Sequence, residues 1–370
     1  MEPGSMTVVQ NIKPLSSTAV INVDYTHVAR RASGIERITI EQFSSKTLSP
    51  LEIRTYQASR GNRLSVLLAQ MVGLPLHALK HSAEVYIFPG FPPSPYFAYR
   101  HHRSVLFVHD LFLLTRRSDL NTVGKYYMAP MFDIAIRHFK HFLTNSETTA
   151  RELRRHRKAN IVLFRPYVRN VFGLSEQDRC ARPRDPKTLR IVSIGTVEPR
   201  KNFGAAVQIC EALARRLGRK VELHIVGRFG WGPDVNELRN RPNVILHGYV
   251  DDSTATAIIS ASDFLLCTSH AEGLCLPLIE VQYSGMPVIA PDTDIFREVL
   301  GSSGILLKSA PPDQTANQIA DVLAMPSWRA TYAAASSANV VRWNTIAERD
   351  RANVVSFLSG LASQPTANSD

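Results

Sequence analysis

The chain has 370 residues, 44% of them hydrophobic and 20% charged, which indicates a globular protein with room for two domains and excludes a disordered one. No apolar run reaches about 18 residues, so the sequence predicts no membrane-spanning helix, and nothing near the N-terminus resembles a secretory signal. The formal net charge of +11 lies entirely in the N-terminal half, since residues 1–175 carry +12 and residues 176–370 carry −1. This asymmetry favours an anionic partner, either nucleic acid, a phospholipid surface or a phosphorylated acceptor, over a charged surface that only serves solubility.

In the N-terminal half, short apolar runs alternate with helical patterns, as in a parallel α/β domain. The predicted strands are residues 18–23, 85–88, 104–108 and 141–144. A helix is expected to open at Gly34, and the polar stretch 145–148 is expected to cap a helix that reaches Arg157. A polar, proline-containing segment between residues 172 and 189 is the predicted linker.

The same alternation returns after the linker, with predicted strands at residues 189–194, 221–226, 244–246, 263–267 and 288–290 and a closing helix over 343–358. We therefore predict an α/β protein of two Rossmann-like, doubly wound domains that face each other across a cleft. The domains would cover residues 6–175 and 186–345, and a last helical segment, 346–364, can return to the N-terminal domain. Residues 1–5 resemble a cloning remnant and are left out.

Two carboxylates, Glu272 and Glu280, lie eight positions apart around the predicted start of a helix. Pro277 suits the first helical position, and Gly285 suits the residue that ends the helix. The amides of residues 273–276 would then point outward at the positive end of the helix dipole, which attracts anions. Spacing alone is equally compatible with an ordinary strand–loop–helix unit that carries two surface glutamates.

Other candidate site residues follow predicted strands, where parallel sheets hold their ligands. Arg200 and Lys201 follow the first strand of the second half, and both cations suit phosphate binding. In the N-terminal half, His109 ends a strand and could contact a sugar hydroxyl or transfer a proton, although a lone histidine there is more often only hydrogen-bonded. The basic helix over 148–158 is expected to be a solvated face, or a membrane face together with residues 101–103, 116 and 117.

Together these motifs resemble the retaining glycosyltransferases of the GT-B fold, specifically family 4, over most of the chain. The resemblance implies that Glu272 binds hydroxyls of the donor sugar and Glu280 the nucleotide ribose. His109 would lie beside the transferred sugar. Glu272, His109, Arg200 and Lys201 are accordingly the predicted catalytic residues. The predicted donor site comprises Gly195, Thr196, Arg200, Lys201, Gly227, Val250, Glu272, Gly273, Leu274, Cys275, Leu276 and Glu280, and the predicted acceptor side comprises Gly34, Arg37, His109 and Asp110.

Two positions depart from the family pattern around the same phosphate. Thr196 stands where many members have the first diphosphate-binding arginine, and Arg200 is a candidate to replace that arginine. Cys275 stands where the family has glycine and lacks glycine's backbone freedom. Neither departure removes a carboxylate or Lys201.

The resemblance implies a metal-independent transfer of a hexose from a nucleotide-diphosphate sugar, with GDP-mannose as the first candidate and no cofactor. The acceptor would be a lipid-diphosphate-linked saccharide for bacterial surface polysaccharide. The enzyme would be cytoplasmic, bound to the anionic inner membrane face through its basic N-terminal half, and would not bind nucleic acid. Its four cysteines have no metal-ligand spacing and indicate free thiols. The alternatives are a GT-B epimerase or phosphorylase, or a nucleic-acid-binding protein that uses the basic half.

Overall fold

The computed structural model describes residues 19–28, 34–58, 63–117, 120–181, 185–231 and 234–364. These residues form two six-stranded parallel sheets with the strand orders β2-β1-β3-β4-β5-β6 and β12-β11-β10-β7-β8-β9. The first sheet contains β1 Val20–Asp24, β2 Glu52–Tyr56, β3 Val85–Phe88, β4 Ser104–Val108, β5 His141–Thr144 and β6 Asn160–Leu163. The second sheet contains β7 Thr188–Ile194, β8 Lys220–Val226, β9 Val244–Gly248, β10 Phe264–Leu266, β11 Val288–Pro291 and β12 Gly304–Leu307. The predicted pair of doubly wound α/β domains is confirmed.

Helices cover both sheets, which explains why the central strands are continuous apolar runs. The helices of the N-terminal part are α1 Gly34–Gln42, α2 Arg63–Leu68, α3 Leu74–Lys80, α4 Tyr96–Tyr99, α5 Phe112–Thr115, α6 Ala129–His138 and α7 Glu147–His156, with π-helical turns at Ala69–Gly73 and Gly124–Met128. Those that follow are α8 Glu176–Ala181, α9 Phe203–Leu217, α10 Asp234–Arg239, α11 Asp252–Ala261, α12 Pro277–Glu280, α13 Asp294–Leu300, α14 Pro312–Ala324 and α15 Trp328–Ala362, with 3-10 turns at Pro199–Lys201 and Val281–Ser284.

The last helix, α15, joins the two domains. It has 35 residues and begins fifteen positions before the predicted start at Trp343. Trp343 is fully buried in the core of the C-terminal domain, whereas Val354, Leu358 and Leu361 are buried with the strands of the N-terminal sheet. The helix therefore contributes to both hydrophobic cores, and its second half returns to the N-terminal domain.

Arg103 holds the end of α15 in place and does not face the solvent. Only 8% of Arg103 is exposed. Its guanidinium donates hydrogen bonds to the carbonyl oxygens of Ala83 at 2.8 Å, Ala362 at 3.2 Å and Gln364. Arg103 is therefore not available to the predicted membrane face at residues 101–103, because its guanidinium is bonded to carbonyl oxygens at the end of α15.

The predicted linker contains a packed helix, α8. Arg179 in this helix is 2% exposed and donates hydrogen bonds to the carbonyl oxygens of Asp263 at 2.6 Å and Gly285 at 3.2 Å. The end of the linker stretch is thus fixed to the C-terminal domain. Residues 182–184, which include Pro183, lie outside the described residues.

Candidate active site

The carboxyl ends of β7 and β8 form a floor on which Lys201 lies. Gly195 has φ +150°, and a Cβ there would lie 3.0 Å from Cε of Lys201. Gly227 has φ +157°, and a Cβ there would lie 1.9 Å from the carbonyl oxygen of Gly195. Both positions require glycine because the backbone and the lysine side chain occupy the space of a side chain. These two predicted donor-site glycines therefore position a cation.

Glu272 lies between the two predicted phosphate cations. Its Oε1 accepts a hydrogen bond from Lys201 Nζ and its Oε2 accepts one from Arg200 Nη1, both at 2.6 Å. Burial opposes ionisation of this carboxyl, but Lys201 and Arg200 outweigh burial and hold its pKa below the usual range. Glu272 is therefore an ionised carboxylate with both oxygens fixed, which the sequence did not predict as a direct partner of these cations.

The 3-10 turn that carries these cations is tied to the loop that carries Glu272. The amide of His270 donates to the carbonyl oxygen of Arg200 at 2.9 Å, and the hydroxyl of Thr268 donates to those of Lys201 at 3.1 Å and Asn202 at 2.9 Å. Asn202 has φ +52°, a left-handed conformation that asparagine tolerates better than most residues. The two segments therefore form one rigid unit.

The loop from Gly273 to Leu276 has the form of an anion site. Within the described part of the chain, no oxygen accepts a hydrogen bond from the amides of these residues. Cys275 has φ +67° in this loop, so it adopts the conformation that the glycine of the family pattern would supply. Leu274 is buried in the core below, and Leu276 precedes α12. Cys275 therefore occupies a conformation in which glycine would be less strained.

Gly273 brings the two domains into contact. A Cβ on this residue would lie 2.3 Å from the carbonyl oxygen of His109. From the same side, the hydroxyl of Ser146 donates to the carbonyl oxygen of Gly273 at 3.2 Å, while it also caps α7 through the amide of Thr149. The sequence suggested none of these contacts, because the residues are far apart along the chain.

His109 and Asp110 follow β4 and face this loop. Nε2 of His109 lies 2.7 Å from the carbonyl oxygen of Pro89, so this nitrogen carries the proton and Nδ1 is the acceptor. Burial lowers the pKa of His109 to about 4. Burial raises the pKa of Asp110 to about 6, against the opposing effect of the hydrogen bond from the amide of Phe112. His109 is therefore neutral near pH 7 and able to accept a hydrogen bond.

Glu280 forms an ion pair with Arg37 of the N-terminal domain. Glu280 is 3% exposed, and burial raises the pKa of this carboxyl while Arg37 acts against the rise. The predicted ribose ligand and a predicted acceptor-side arginine are thus direct partners across the cleft. Gly34 begins α1 and is exposed, with nothing within 4 Å of a Cβ placed on it, and Ser33 lies outside the described residues.

Several residues of the site were missed by the sequence reasoning. Glu198 accepts a hydrogen bond from Arg200, and the Phe112 ring centroid lies 5.4 Å from the guanidinium carbon of the same arginine. The guanidinium carbon of Arg228 lies 5.0 Å from the ring centroid of Tyr249, next to the predicted donor-site residue Val250. Of these residues, the sequence could have indicated only Glu198, because it lies two positions before Arg200. Thr196 contributes its methyl group to the packing around Gly230.

A cavity of about 320 Å³ opens beside His109, Asp110 and Arg200. Most of its lining is apolar and belongs to the N-terminal domain, with Phe91, Phe112, Leu113, Leu120, Met128 and Phe132, and Trp231 approaches from the other domain. In the described residues, no three His, Cys, Asp or Glu side chains are grouped so that they could hold a metal ion. The cleft thus has a charged C-terminal wall and an apolar N-terminal wall.

Comparison with known proteins locates the C-terminal half in a family. Residues 175–338 match the model of the glycosyl transferases group 1 family. Serotype-specific mannosyltransferase WbdA of Escherichia coli is 28% identical over 163 residues, which are 42% of this chain and 20% of that protein. A phosphatidyl-myo-inositol mannosyltransferase of Mycobacterium tuberculosis (strain CDC 1551 / Oshkosh) is 32% identical over 182 residues, or 45% and 46% of the two chains. The chain thus spans less than half the length of these curated relatives.

Solved structures resemble the chain over nearly its whole length. WaaG, a glycosyltransferase involved in lipopolysaccharide biosynthesis, has a TM-score of 0.65 at 13% identity and covers 92% of this chain and 100% of its own. Sucrose-phosphate synthase from Thermosynechococcus elongatus has a TM-score of 0.70 at 14% identity, with the same coverage. Anabaena HepE, solved with UDP and glucose, has a TM-score of 0.63 at 17% identity and covers 93% and 100%. The chain therefore has the GT-B fold of these glycosyltransferases, and its C-terminal half matches the glycosyl transferases group 1 family, with mannosyltransferases among its relatives.

Proposed function

We propose that this chain is a retaining, metal-independent glycosyltransferase of family 4. It would transfer a hexose from a nucleotide-diphosphate sugar, with GDP-mannose as the first candidate, to a lipid-diphosphate-linked saccharide for surface polysaccharide. The observation that carries the proposal is the Glu272 carboxylate, which Arg200 and Lys201 hold at 2.6 Å opposite His109 and Asp110. The mannosyltransferase relatives support the choice of donor.

The cation pair would stabilise the leaving nucleoside diphosphate. Negative charge develops on that group as the glycosidic bond breaks, and preorganised cations and amides stabilise such charge most where water is excluded. Arg200 and Lys201 are mostly buried, with 22% and 12% of their side chains exposed. The donor diphosphate would replace Glu272 as their partner, and the freed carboxylate oxygens would accept hydrogen bonds from sugar hydroxyls. The amides of residues 273–276 would add donors from below.

Transfer would occur on the face of the sugar from which the diphosphate leaves. The acceptor hydroxyl attacks the anomeric carbon as the bond to the diphosphate breaks, and a phosphate oxygen of the leaving group takes the hydroxyl proton. Glu272, with its oxygens taken up by hydrogen bonds from sugar hydroxyls, would act as an orienting group and not as a covalent nucleophile. The unprotonated Nδ1 of the neutral His109 ring would accept a hydrogen bond from a hydroxyl of the transferred sugar. A glycosyl adduct trapped on Glu272 would contradict this scheme.

The acceptor side is the basic, partly apolar N-terminal domain. Its +12 charge suits the diphosphate of a lipid-linked saccharide and an anionic inner membrane face. No helix in the described residues has both the length and the apolar character needed to cross a bilayer. We therefore propose a peripheral association in which the acceptor reaches the cleft from the membrane surface.

Two measurements test the proposal. Thermal unfolding with GDP, UDP and dTDP should show stabilisation by the correct nucleotide, about 2.7 kcal/mol at about 100 times its dissociation constant. NMR of the product should show that the anomeric configuration of the donor is retained, with full activity in EDTA. An inverted product or loss of activity in EDTA would disprove the retaining or the metal-independent assignment. A donor converted without an acceptor would favour the epimerase, and salt-sensitive DNA or RNA binding would favour the nucleic-acid alternative.

A further inference from the structure

An amphipathic helix on the N-terminal domain exposes a continuous row of aliphatic side chains. Helix α2, the π-helical turn Ala69–Gly73 and α3 form one uninterrupted helix from Arg63 to Lys80. Six of its side chains are between 39 and 65% exposed. This apolar stripe comprises Leu64, Leu67, Leu68, Val72, Leu76 and Leu79. Isolated exposed leucines are common, but a contiguous apolar patch indicates an interaction surface.

The π-helical turn aligns the two halves of the stripe. Successive residues of an α-helix lie about 100° apart, so the extra residue of a π-helical turn rotates the residues after it by about that angle. The rotation brings Leu76 and Leu79 back into line with Leu64 and Leu68. The stripe therefore lies along one side of a helix about 27 Å long.

The opposite side of the helix is fixed to the domain, so the stripe cannot turn inward. Gln70 is 4% exposed and accepts a hydrogen bond at 3.1 Å from the hydroxyl of Tyr127. His77 is hydrogen-bonded to the hydroxyl of Tyr86 at 2.9 Å, and Arg100 donates to the carbonyl oxygen of Ala78 at 2.7 Å. Leu74 and Ala78 are buried between these contacts.

The charge around the stripe complements an anionic surface. Arg63 and Lys80 stand at the two ends of the helix, and residues 53–83 contain no Asp or Glu. Arg54, in the same stretch, is paired with Glu52 and Glu84. Beside the helix, the segment that carries Tyr127 also exposes Val123 at 52% and Tyr126 at 74%. An apolar helix face with cations at the helix ends and exposed aromatic residues nearby is typical of a helix that lies in a membrane interface.

We propose that the apolar stripe docks the protein on an anionic lipid bilayer, with the helix lying in the plane of the interface. The surface deepens the proposed function, because a lipid-linked acceptor is delivered from a bilayer. It also places that bilayer next to the site. Leu120, Asn121, Gly124 and Met128, in the same segment as Tyr126, line the apolar cavity beside His109. An acceptor could pass from the bilayer to the cleft along this segment.

Vesicle flotation of the whole chain tests the surface. The vesicles are phosphatidylcholine with about one third phosphatidylglycerol, compared with phosphatidylcholine alone. The double variant Leu68→Ser, Leu76→Ser should bind the anionic vesicles about tenfold more weakly or worse, and added salt should abolish what remains. The matched control is Val341→Ser, because Val341 is 67% exposed on α15 and far from the stripe along the chain. Unchanged binding by the leucine variant would overturn the proposal.

Two further measurements separate the alternatives. Leu76→Trp should show a blue-shifted emission that brominated lipid quenches, and an emission unchanged by vesicles would overturn the proposal. Sedimentation without lipid should give the same mass for the wild type and the leucine variant, whereas a dimer that only the variant loses would assign the stripe to a second copy of the chain. Nucleotide-induced stabilisation should be equal in both. Its absence with intact vesicle binding would refute the proposed function and leave the docking surface standing.

Discussion

At the scale of single residues, the site depends on one carboxylate that holds two cations. Glu272 is 6% exposed at its side chain, and its removal leaves Lys201 with a buried, unpaired charge. Breaking a buried pair on one side is costly because the remaining ion stays desolvated. Glu280 differs, since its partner Arg37 is 30% exposed and can reach water.

We expect Glu272→Gln to lower kcat by about 100- to 1,000-fold, because the transferred sugar would lose the carboxylate proposed to orient it. Glu280→Ala should instead raise the KM for the donor by about tenfold with little change in kcat, because it removes the proposed ribose contact. Steady-state kinetics with donor titration checks both, and the exposed Glu237→Gln on α10 is the control. The reverse pattern would exchange the two roles.

Cys275 allows a test of backbone strain at the anion loop. The left-handed region destabilises a residue with a side chain by about 1–2 kcal/mol. Glycine has no such strain, but it loses more backbone entropy on folding, which costs about 0.5–1 kcal/mol. Cys275→Ala removes the thiol and keeps the strain, and Cys275→Gly removes both. We therefore expect urea unfolding to give a free energy of unfolding about 0.5–1 kcal/mol higher for the glycine variant than for the alanine variant. A glycine variant that is less stable than the alanine variant would show that the φ of +67° is not strained.

At the scale of elements, a loop of the C-terminal domain packs against a strand end of the N-terminal domain. Gly273 meets the carbonyl oxygen of His109, and Ser146 at the start of α7 binds the same loop. Helix α7 is held to the other domain as well, since Glu298 of α13 accepts hydrogen bonds from the amides of Glu147 at 2.7 Å and Thr148 at 2.8 Å. These contacts set the width of the cleft.

Gly273→Ala should open this contact, because the added carbon would lie 2.3 Å from a backbone oxygen that cannot move independently. We expect kcat/KM to fall by about 100-fold, since a displacement of about 1 Å at the reacting groups has that effect. The control is Gly204→Ala in α9, where a Cβ meets nothing within 4 Å and should stabilise the helix by up to about 1 kcal/mol. Wild-type activity in Gly273→Ala would mean that the cleft works when wider.

The strands that sequence reasoning missed share a position in the fold. The strands β2, β6 and β12 were not predicted, and each lies at the edge of its sheet. An edge strand is partly exposed, so its sequence need not be a continuous apolar run, and Glu52–Tyr56 is exposed or half-buried throughout. The central strands were predicted because burial on both faces leaves a clear apolar signal.

At the scale of the whole molecule, the N-terminal domain buries four groups whose pKa shifts oppose one another. Burial raises the pKa of Asp24 and Asp110 to about 6 and lowers the pKa of His27 and His109 to about 4. The two carboxyls hold protons that the unfolded chain has released, so their contribution to stability falls as pH rises from about 4 to 6. The two histidines lack protons that the unfolded chain binds, so their contribution rises over the same interval.

We therefore expect these four contributions to cancel in the wild type between about pH 4 and 6, and single variants to expose them. Asp110→Asn should make the free energy of unfolding rise with pH by up to about 1.4 kcal/mol per unit relative to the wild type. His109→Gln should make it fall relative to the wild type by a similar amount. Urea unfolding at several pH values checks both slopes, and slopes of the same sign would refute the cancellation.

The sequence by itself determined the class of fold and indicated where a candidate site would lie. It placed Arg200, Lys201 and His109 after predicted strands and Glu272 before a predicted helix, and a parallel sheet brings its carboxyl ends to one edge whatever the details of packing. Only the tertiary structure decided which of these residues contact one another. It paired Glu272 with both cations and Glu280 with Arg37, used Arg103 to hold the last helix, and left a row of leucines on the surface. Such contacts join residues up to 261 positions apart, and their geometry depends on how two domains pack, which no local pattern records.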